Sequence, residues 1–435
     1  MFAWISRLMS PSPVPVRTAT PAAARGEPPT AGAAPAPNAS AFGIRQPLVG
    51  AKGGVAGFEF LLPAGVQRRL AARDDRASLA AHQALLLVAM KPVTAAGRVA
   101  LTRMSAAVIG RPGVAEQAGA GSLLLVSDLA QLAPEVAAAL RARGLRLGVE
   151  DGPPQAAPTA DFVVLQGGKG GVDTLLLSAQ RWQEARPRLA LIATGLAGVD
   201  EMERLLQAGF WLVGGELGRS ASAASRPLNA AAHRICELMN HLALNRDTAV
   251  VAEAVRSDVA LSYRLLRFAN SPAMGLSRGV ESVEQAVLLL GRKELTRWLS
   301  VMLLSASGDR VLSEALQEQA LARGRLLELL ARAEGLDAAD ALFSVGLFSM
   351  LEVLLQVPLA ELLEPLRLGE PAVQALLAGQ GPWSEHLALA VALGANDDGA
   401  VERLAGRWGG LEPVQAMAEE AWSWAAGLQG VGAVP

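Results

Sequence analysis

Histidine and cysteine are the residues here whose side chains could bind a catalytic transition metal, and there are few of them. The four histidines are scattered, and Cys236 is the only cysteine. His233 and His241 are close in sequence, but a separation of eight residues puts them two turns apart on a helix. With no CxxC pair, neither a thiolate metal site nor an intramolecular disulfide is expected. The remaining candidates for chemistry are carboxylates, of which Glu59 lies within a β-like run.

The charge and composition argue against a nucleic-acid partner. The formal net charge is −2, and 39 Lys and Arg residues are interleaved with 41 Asp and Glu residues. Nucleic-acid binders concentrate their cations on one face. Only 4% of the residues are aromatic, with a single tyrosine, so stacking surfaces for bases are not expected.

No segment predicts membrane insertion or export. The N-terminal stretch Met1–Met9 is too short for a signal peptide and is broken by Arg7. The longest apolar run, Leu342–Leu359, contains Glu352 and Pro358, which indicates a buried helix with a breaker. A cytoplasmic protein without a membrane partner is expected.

Strand and helix patterns alternate in the first half of the chain. Residues 1–41 are rich in Pro and Ala and cannot bury enough apolar surface to fold, so they are predicted to be disordered. In residues 42–218, amphipathic stretches such as Ser127–Leu140 and Val199–Ala208 separate seven or eight β-like runs. This alternation predicts a compact (β/α)₈ barrel. The candidate strands are Val55–Leu61, Val99–Thr102, Leu123–Val126, Leu145–Val149, Phe162–Leu165, Leu189–Ala193 and Trp211–Val213.

Helical patterns dominate the rest of the chain. Residues 219–228 are mostly small and polar and predict a linker, and residues 229–435 predict an all-helical domain. Asp258 and Ser282 are suited to cap two successive helices, and Gly291 to end the second of them. Leu295, Trp298, Leu299 and Met302 then recur at helical spacing.

The start of the barrel region resembles EAL-type cyclic-di-GMP phosphodiesterases. In that family the first strand carries Glu-x-Leu-x-Arg, where the Glu binds a divalent metal and the Arg contacts a phosphate. Glu59 and Leu61 match the first two positions, whereas Pro63 stands at the position of the Arg. The resemblance implies an EAL-type, TIM-like barrel in which Glu59 and Leu61 are a remnant of the motif.

The later EAL motifs lack their expected ligands. Leu125 stands where a metal-binding Glu is expected, Val164 where the family has a catalytic Lys, and Thr194 where it has a carboxylate. Glu150 or Asp151 could supply one further oxygen. Phosphodiester hydrolysis at such a site uses two adjacent cations, and hard cations need several oxygen ligands. The resemblance therefore implies a barrel without catalytic residues, metal or other cofactor.

Residues 256–271 and 280–291 resemble the signature of HDOD domains, which are related to HD-type metal phosphohydrolases. We interpret the matching residues as structural, because they would seal one helix against the bundle and turn the chain after it. The matching residues are Asp258, Leu261, Ser262, Leu265, Leu266, Asn270, Ser271, Leu290 and Gly291.

The HD-type metal dyad is replaced in this domain. The segment Gly346–Met350 stands where an HD enzyme has Gly-Leu-Leu-His-Asp, with Ser349 and Met350 in place of the His and Asp. An alternative interpretation takes Ser282–Ser300 as a DNA-binding helix-turn-helix that uses cations such as Arg292 and Arg297. Leu295, Trp298 and Leu299 recur at helical spacing, which favours packing of this helix in the core instead.

Together these features predict a non-catalytic scaffold in bacterial signal transduction, an EAL-like pseudoenzyme joined to an HDOD domain. The expected partners are unknown signalling proteins, and cyclic-di-GMP binding is not expected. Two alternatives stay open. The barrel could sense a cyclic dinucleotide without turnover, or it could retain a residual phosphodiesterase activity.

Overall fold

The computed structural model describes residues 44–63, 66–68, 76–111, 113–168, 170–220, 227–271, 274, 279–306 and 310–429. The predicted disordered segment, residues 1–41, lies outside the described residues, as do residues 221–226 of the predicted linker. No helix in the described part of the chain has the length and apolarity needed to cross a bilayer.

Eight strands close into a barrel in sequence order. The first strand is antiparallel to both of its neighbours, and the other seven run parallel. An apolar layer fills the interior. The strands are β1 (Ile44–Gly50), β2 (Val55–Leu61), β3 (Val99–Met104), β4 (Ser122–Val126), β5 (Arg146–Glu150), β6 (Phe162–Gln166), β7 (Ala190–Leu196) and β8 (Leu212–Gly215).

The barrel is compact because several of the segments between its strands contain little α-helix. The crossover from β5 to β6 contains a single 3₁₀ turn, Pro154–Ala156. The predicted helix over Ser127–Leu140 is partly wrong, because its first half is a 3₁₀ turn and the α-helix begins only at Pro134, a residue suited to the first helical position. The helices are α1 (Arg76–Ala95), α2 (Ala106–Ile109), α3 (Pro134–Ala142), α4 (Gly171–Ala185) and α5 (Val199–Gln207).

An all-helical domain follows, so the expected combination of a shrunken TIM-like barrel with a helical bundle is confirmed. Its helices are α6 (Ala230–Ala243), α7 (Thr248–Arg256), α8 (Val259–Ala269), α9 (Val283–Ser305), α10 (Ser313–Ala333), α11 (Ala339–Phe348), α12 (Leu351–Leu355), α13 (Leu359–Leu363), α14 (Glu370–Val373), α15 (Ser384–Ala395), α16 (Asp398–Ala405) and α17 (Leu411–Gln429). Gly291 interrupts α9 with a φ of 68°, so the backbone kinks where the sequence predicted a helix end.

Helix α10 is enclosed by both domains. It packs on α11 and α17 and reaches β2 of the barrel. Glu318 of this helix is 2% exposed and accepts two hydrogen bonds, of 2.7 and 3.0 Å, from the guanidinium of Arg98 beside β3. Next to this ion pair, Phe58 of β2 meets the Trp422 ring edge-on at 5.0 Å. The domain junction is therefore a packed interface.

The β1–β2 turn caps the start of α10. The carbonyl of Gly53 accepts a hydrogen bond from the Ala315 N–H at 3.0 Å, which satisfies one of the free donors of a helix N-terminus. The approach is so close that a Cβ on Gly53 would lie 1.6 Å from the carbonyl oxygen of Val311. Only glycine fits this position.

We expect Gly53→Ala to destabilise the protein by about 1–3 kcal/mol more than Gly97→Ala. Both glycines have a φ of +79°, so both variants carry the same left-handed backbone strain, but a Cβ on Gly97 would have no heavy atom within 4 Å. Urea denaturation of both variants measures the difference. Equal losses of the free energy of unfolding would contradict the close approach of the turn to α10.

Candidate functional site

The carboxyl ends of the parallel strands form the mouth of the barrel, the end at which enzymes of this architecture place their active sites. Side chains alternate between the inside and the outside of a barrel strand. The inward-facing residues nearest this end are mostly polar. The polar ones are Glu59 on β2, Arg103 on β3, Glu150 on β5, Gln166 on β6 and Thr194 on β7, whereas Leu61 on β2 and Leu125 on β4 are apolar.

Glu59 lies low in the mouth and is only 4% exposed. It pairs in register with Gln46 on one side and Leu101 on the other. Burial raises the pKa of its carboxyl group to about 7, and the positive charge of Arg103 opposes that rise. At neutral pH the side chain is thus partly protonated, so that a cation bound here would have to displace its proton.

Arg103 occupies the centre of the mouth. Its guanidinium forms an ion pair with Glu150 and donates a hydrogen bond of 2.8 Å to Oε1 of Gln166. The Thr194 hydroxyl donates to the same Gln166 oxygen at 3.2 Å. The four side chains form a hydrogen-bonded chain across β3, β5, β6 and β7. Arg103 was not predicted as a site residue, because the predicted strand ended at Thr102. The signal in the sequence was alternation, since Arg103 lies two residues after the inward-facing Leu101.

Leu125 and Val164 face the interior, where they pair in register with Arg103 and Glu150 respectively. They are 1% and 2% exposed and belong to the apolar layer that also contains Phe162 and Ile192. Pro63 is buried just beyond the end of β2. At these three positions the side chains offer no oxygen or nitrogen to a ligand.

Asp151 follows β5 at the mouth, whereas Asp161 precedes β6 at the opposite end of the barrel, and both are hydrogen-bonded outside the mouth. Asp151 accepts hydrogen bonds of 2.8 Å from Trp182 Nε1 and Arg181 on α4. Asp161 accepts from Arg141 Nε and from the backbone N–H of Leu147, both at 2.9 Å to Oδ2. Of the two ligands that the sequence left open, Glu150 faces the mouth and Asp151 does not. Within the described residues, no group of three or more His, Cys, Asp or Glu side chains is placed to hold a metal ion.

The position of the HD-type metal dyad, at the end of α11, is also occupied by an arginine side chain. The Ser349 hydroxyl accepts a hydrogen bond from Arg323 Nη1 at 3.0 Å and donates to the Gly346 carbonyl at 2.8 Å. Met350 is fully buried in the apolar core. A guanidinium therefore lies where the sequence comparison placed the histidine of an HD-type dyad.

The HDOD signature residues build a helix and the turn that follows it. Asp258 caps α8 by accepting from the Leu261 N–H at 2.9 Å. Leu261 and Leu265 are buried, and Asn270 bonds both the N–H and the carbonyl of Val280. The other residues have related roles: the Ser262 hydroxyl donates to the Val255 carbonyl, Leu266 packs on the core, the Ser271 N–H donates to the Phe268 carbonyl, Leu290 is buried, and Gly291 forms the kink.

In the alternative helix-turn-helix, Ser282–Ser300, the cationic side chains form contacts within the domain. Arg297 is 9% exposed and pairs with Glu328 and Asp340, each at 3.2 Å. Lys293 also pairs with Asp340, and Arg292 donates to the carbonyl of Leu242 in the last turn of α6 and to that of Arg246 beyond it. This arrangement favours core packing over base recognition for this helix.

Residues 227–365 match the family model of the HDOD domain. This chain therefore carries an HDOD domain behind an eight-stranded barrel. The helices from α14 onward lie beyond the matched residues.

Two curated relatives resemble parts of the chain. The uncharacterized protein YuxH of Bacillus subtilis is 33% identical over 165 residues, which are 37% of this chain and 40% of the relative. The cyclic di-GMP phosphodiesterase CdgJ of Vibrio cholerae is 32% identical over 140 residues, 32% of each protein. The chain thus spans well under half the length of these relatives.

EAL domains are among the solved structures that resemble part of this chain. An EAL domain protein from Listeria monocytogenes aligns with 41% of this chain and 86% of its own, at 12% identity and a TM-score of 0.33. The FimX EAL domain of Xanthomonas citri, solved in complex with c-diGMP, aligns with 40% of this chain and 84% of its own, at 17% identity and a TM-score of 0.32.

The raised pKa of Glu59 predicts a specific pH dependence of stability. Between its ordinary pKa of 4.5 and about 7, the folded protein holds a proton that the unfolded chain releases. The free energy of unfolding of the wild type, relative to Glu59→Gln, should therefore fall as the pH rises through this window, by up to about 3 kcal/mol, and be constant above it. Urea denaturation of both proteins between about pH 4.5 and 8 measures it. A difference independent of pH would contradict the burial of this carboxyl group.

Proposed function

We propose that this chain is a non-catalytic adaptor in bacterial signal transduction, in which a degenerate EAL-like barrel supports an HDOD domain that contacts partner proteins. The observation that carries the proposal is the guanidinium of Arg103, held between Glu150 and Gln166 in the barrel mouth. Its positive charge repels a divalent cation and neutralises a carboxylate that could otherwise bind one.

The residues around Arg103 support the same conclusion. Glu59 is partly protonated at neutral pH, and Leu125 and Val164 are apolar. Generating a hydroxide and clamping the developing charge of a phosphodiester need two bound cations. With one oxygen ligand partly protonated and another neutralised, the described mouth lacks the negative charge to hold them.

Exposed apolar side chains support a role in protein contacts. Six of the eleven large apolar side chains exposed in the described residues fall between Leu244 and Leu289, on helices that pack against one another. Val259 is 83% exposed and Tyr263 62% exposed, and they lie one turn apart on the same face of α8. Exposed apolar clusters of this kind mark protein interaction sites.

Each of the two alternative functions, residual hydrolysis and nucleotide sensing, is favoured by one observation, so both are tested together with the adaptor function. One relative, CdgJ, is named a cyclic di-GMP phosphodiesterase, which favours residual hydrolysis. The Arg103 side chain is 42% exposed, so a nucleotide phosphate could reach it from solvent, which favours a sensor that binds without turnover.

We expect no hydrolysis of cyclic di-GMP by the purified full chain. Overnight incubation with Mg²⁺ or Mn²⁺, followed by chromatography of the nucleotides, should recover only the cyclic form, because the mouth cannot assemble two cations. Linear dinucleotide that forms with the wild type and disappears with Glu59→Ala would overturn the proposal and establish a residual phosphodiesterase.

Binding measurements on the same protein distinguish a cyclic-dinucleotide sensor from an adaptor. Calorimetric titration with cyclic di-GMP should show no binding for the wild type or for Arg103→Gln. Saturable binding by the wild type that Arg103→Gln abolishes would replace the adaptor with a sensor. Arg181→Gln, at an exposed arginine on the outside of the barrel, is the matched control for the loss of one positive charge.

We expect the exposed face of α8 to bind the partner. In capture experiments from the native host with quantitative mass spectrometry, the double variant Val259→Ser and Tyr263→Ser should lose the proteins that the wild type retains. Leu177→Ser, which removes a 69% exposed leucine from α4 of the barrel, should retain them. All three substitutions are at exposed positions and should change stability by less than about 0.5 kcal/mol each.

The opposite pattern would contradict this assignment. If the α8 variant captures the same proteins as the wild type and Leu177→Ser does not, the barrel provides the output surface and the HDOD domain does not.

A further inference from the structure

A cavity of about 70 Å³ lies between the barrel and the helical domain. Arg45 and Phe60 line it from β1 and β2, Gln319 and Arg323 from α10, and Gln415 and Trp422 from α17. Most of the remaining wall is alanine and leucine. The cavity is separate from the barrel mouth, and nothing in the adaptor function requires it.

Several polar atoms in the wall have no partner. Within the described residues, no hydrogen bond reaches Arg45 Nε, Gln319 Oε1, Arg323 Nε, or either polar atom of the Gln415 side chain. Gln319, Arg323 and Gln415 are each more than nine-tenths buried, with exposures of 6%, 5% and 6%. Native proteins satisfy almost all buried polar groups, and each group left unpaired costs about 1–3 kcal/mol. Four such side chains around one cavity indicate an occupant.

The wall carries a positive charge that is not neutralised. Arg45 faces Glu419 at 3.6 Å. Arg323 has the Ser349 hydroxyl as its hydrogen-bond partner, and no described carboxylate lies within 4.0 Å of its guanidinium. Burial lowers the pKa of Arg323 to about 10, and the more distant Glu216 opposes that shift, so the group stays charged at neutral pH. The lining of this cavity therefore has a net charge of about +1; Glu216, which lines a neighbouring cavity together with Arg323, is the nearest opposing charge and forms no ion pair with it.

We propose that this cavity binds a small monovalent organic anion, a short-chain carboxylate, at the interface of the two domains. The carboxylate group accepts hydrogen bonds from Arg323 Nε and Gln415 Nε2, and its negative charge neutralises Arg323. The short apolar chain lies against Phe60, Trp422 and the alanines. A volume that holds about five water molecules accommodates about six non-hydrogen atoms, the size of butyrate or pentanoate.

The occupant would act on the assembly of the two domains, because its contacts come from both. A ligand that binds only the packed arrangement of the two domains stabilises it by RT ln(1 + [L]/Kd), which grows with the ligand concentration. The cavity thus gives the chain a response to a metabolite that is independent of the barrel mouth and of cyclic dinucleotides.

Thermal unfolding of the full chain with a series of sodium carboxylates tests the proposal. At matched ionic strength, acetate, butyrate, pentanoate and octanoate are compared with chloride and inorganic phosphate. The melting temperature should rise with the logarithm of the carboxylate concentration once that concentration exceeds Kd, most with butyrate or pentanoate and least with chloride. Equal shifts with chloride, or no shift with any carboxylate, would overturn the proposal and assign the cavity to water. A shift that is largest with phosphate would overturn the carboxylate assignment.

Two cavity variants and one control identify the site. Arg323→Met removes the buried charge and keeps the volume, so it should weaken carboxylate binding at least about tenfold while leaving the unliganded protein as stable or more stable. Ala418→Val narrows the cavity without touching a charge and should also weaken binding, which covers the case in which Arg323→Met fails to fold. Arg181→Met, far from the cavity, should respond as the wild type does. A carboxylate response unchanged in Ala418→Val and in any folded Arg323→Met protein would place the binding elsewhere and overturn the proposal.

Discussion

The buried charges of helix α10 are the constraint on which the rest of the structure depends. Glu318, Arg325 and Glu328 are each less than 5% exposed. Charges taken out of water are tolerated only when partners replace the lost hydration, and removing one partner of a buried pair costs about 3–5 kcal/mol. Those partners come from opposite sides: Arg98 of the barrel reaches Glu318, and Arg297 of the HDOD domain reaches Glu328. Because one helix needs both, the barrel and the HDOD domain fold as neighbours with a shared core.

The barrel interior explains the chemistry of its mouth. Leucine, isoleucine, valine and phenylalanine side chains fill the interior beside the polar side chains. In these apolar surroundings the carboxyl group of Glu59 stays partly protonated, because burial raises its pKa. Arg103 avoids a similar cost because its guanidinium reaches upward to Glu150 and Gln166, where solvent is close. A mouth of this kind is electrically balanced without any bound ion.

Local signals in the sequence predicted much of this fold, and contacts distant in sequence account for what it missed. The caps at Asp258 and Ser282 were predictable, because each side chain accepts a hydrogen bond from the backbone N–H of the residue three positions later. Strand β1 was not predicted as a strand, since Pro47 lacks the N–H that a central strand donates. The pairing of Arg98 with Glu318 joins residues 220 positions apart, and no local pattern announces it. Arg103 was hidden by a strand end placed two residues too early.

The ion pair between Arg103 and Glu150 also has a historical consequence. Under the proposed function, recovering a divalent cation would need new oxygen ligands at positions such as Leu125 and the departure of the guanidinium from the same space. A new carboxylate alone would be neutralised by Arg103, and loss of Arg103 alone would leave too few ligands. Neither single substitution brings a gain on which selection could act. Under that function, a metal-binding mouth is separated from the present sequence by at least two changes that have an effect only when they are made together.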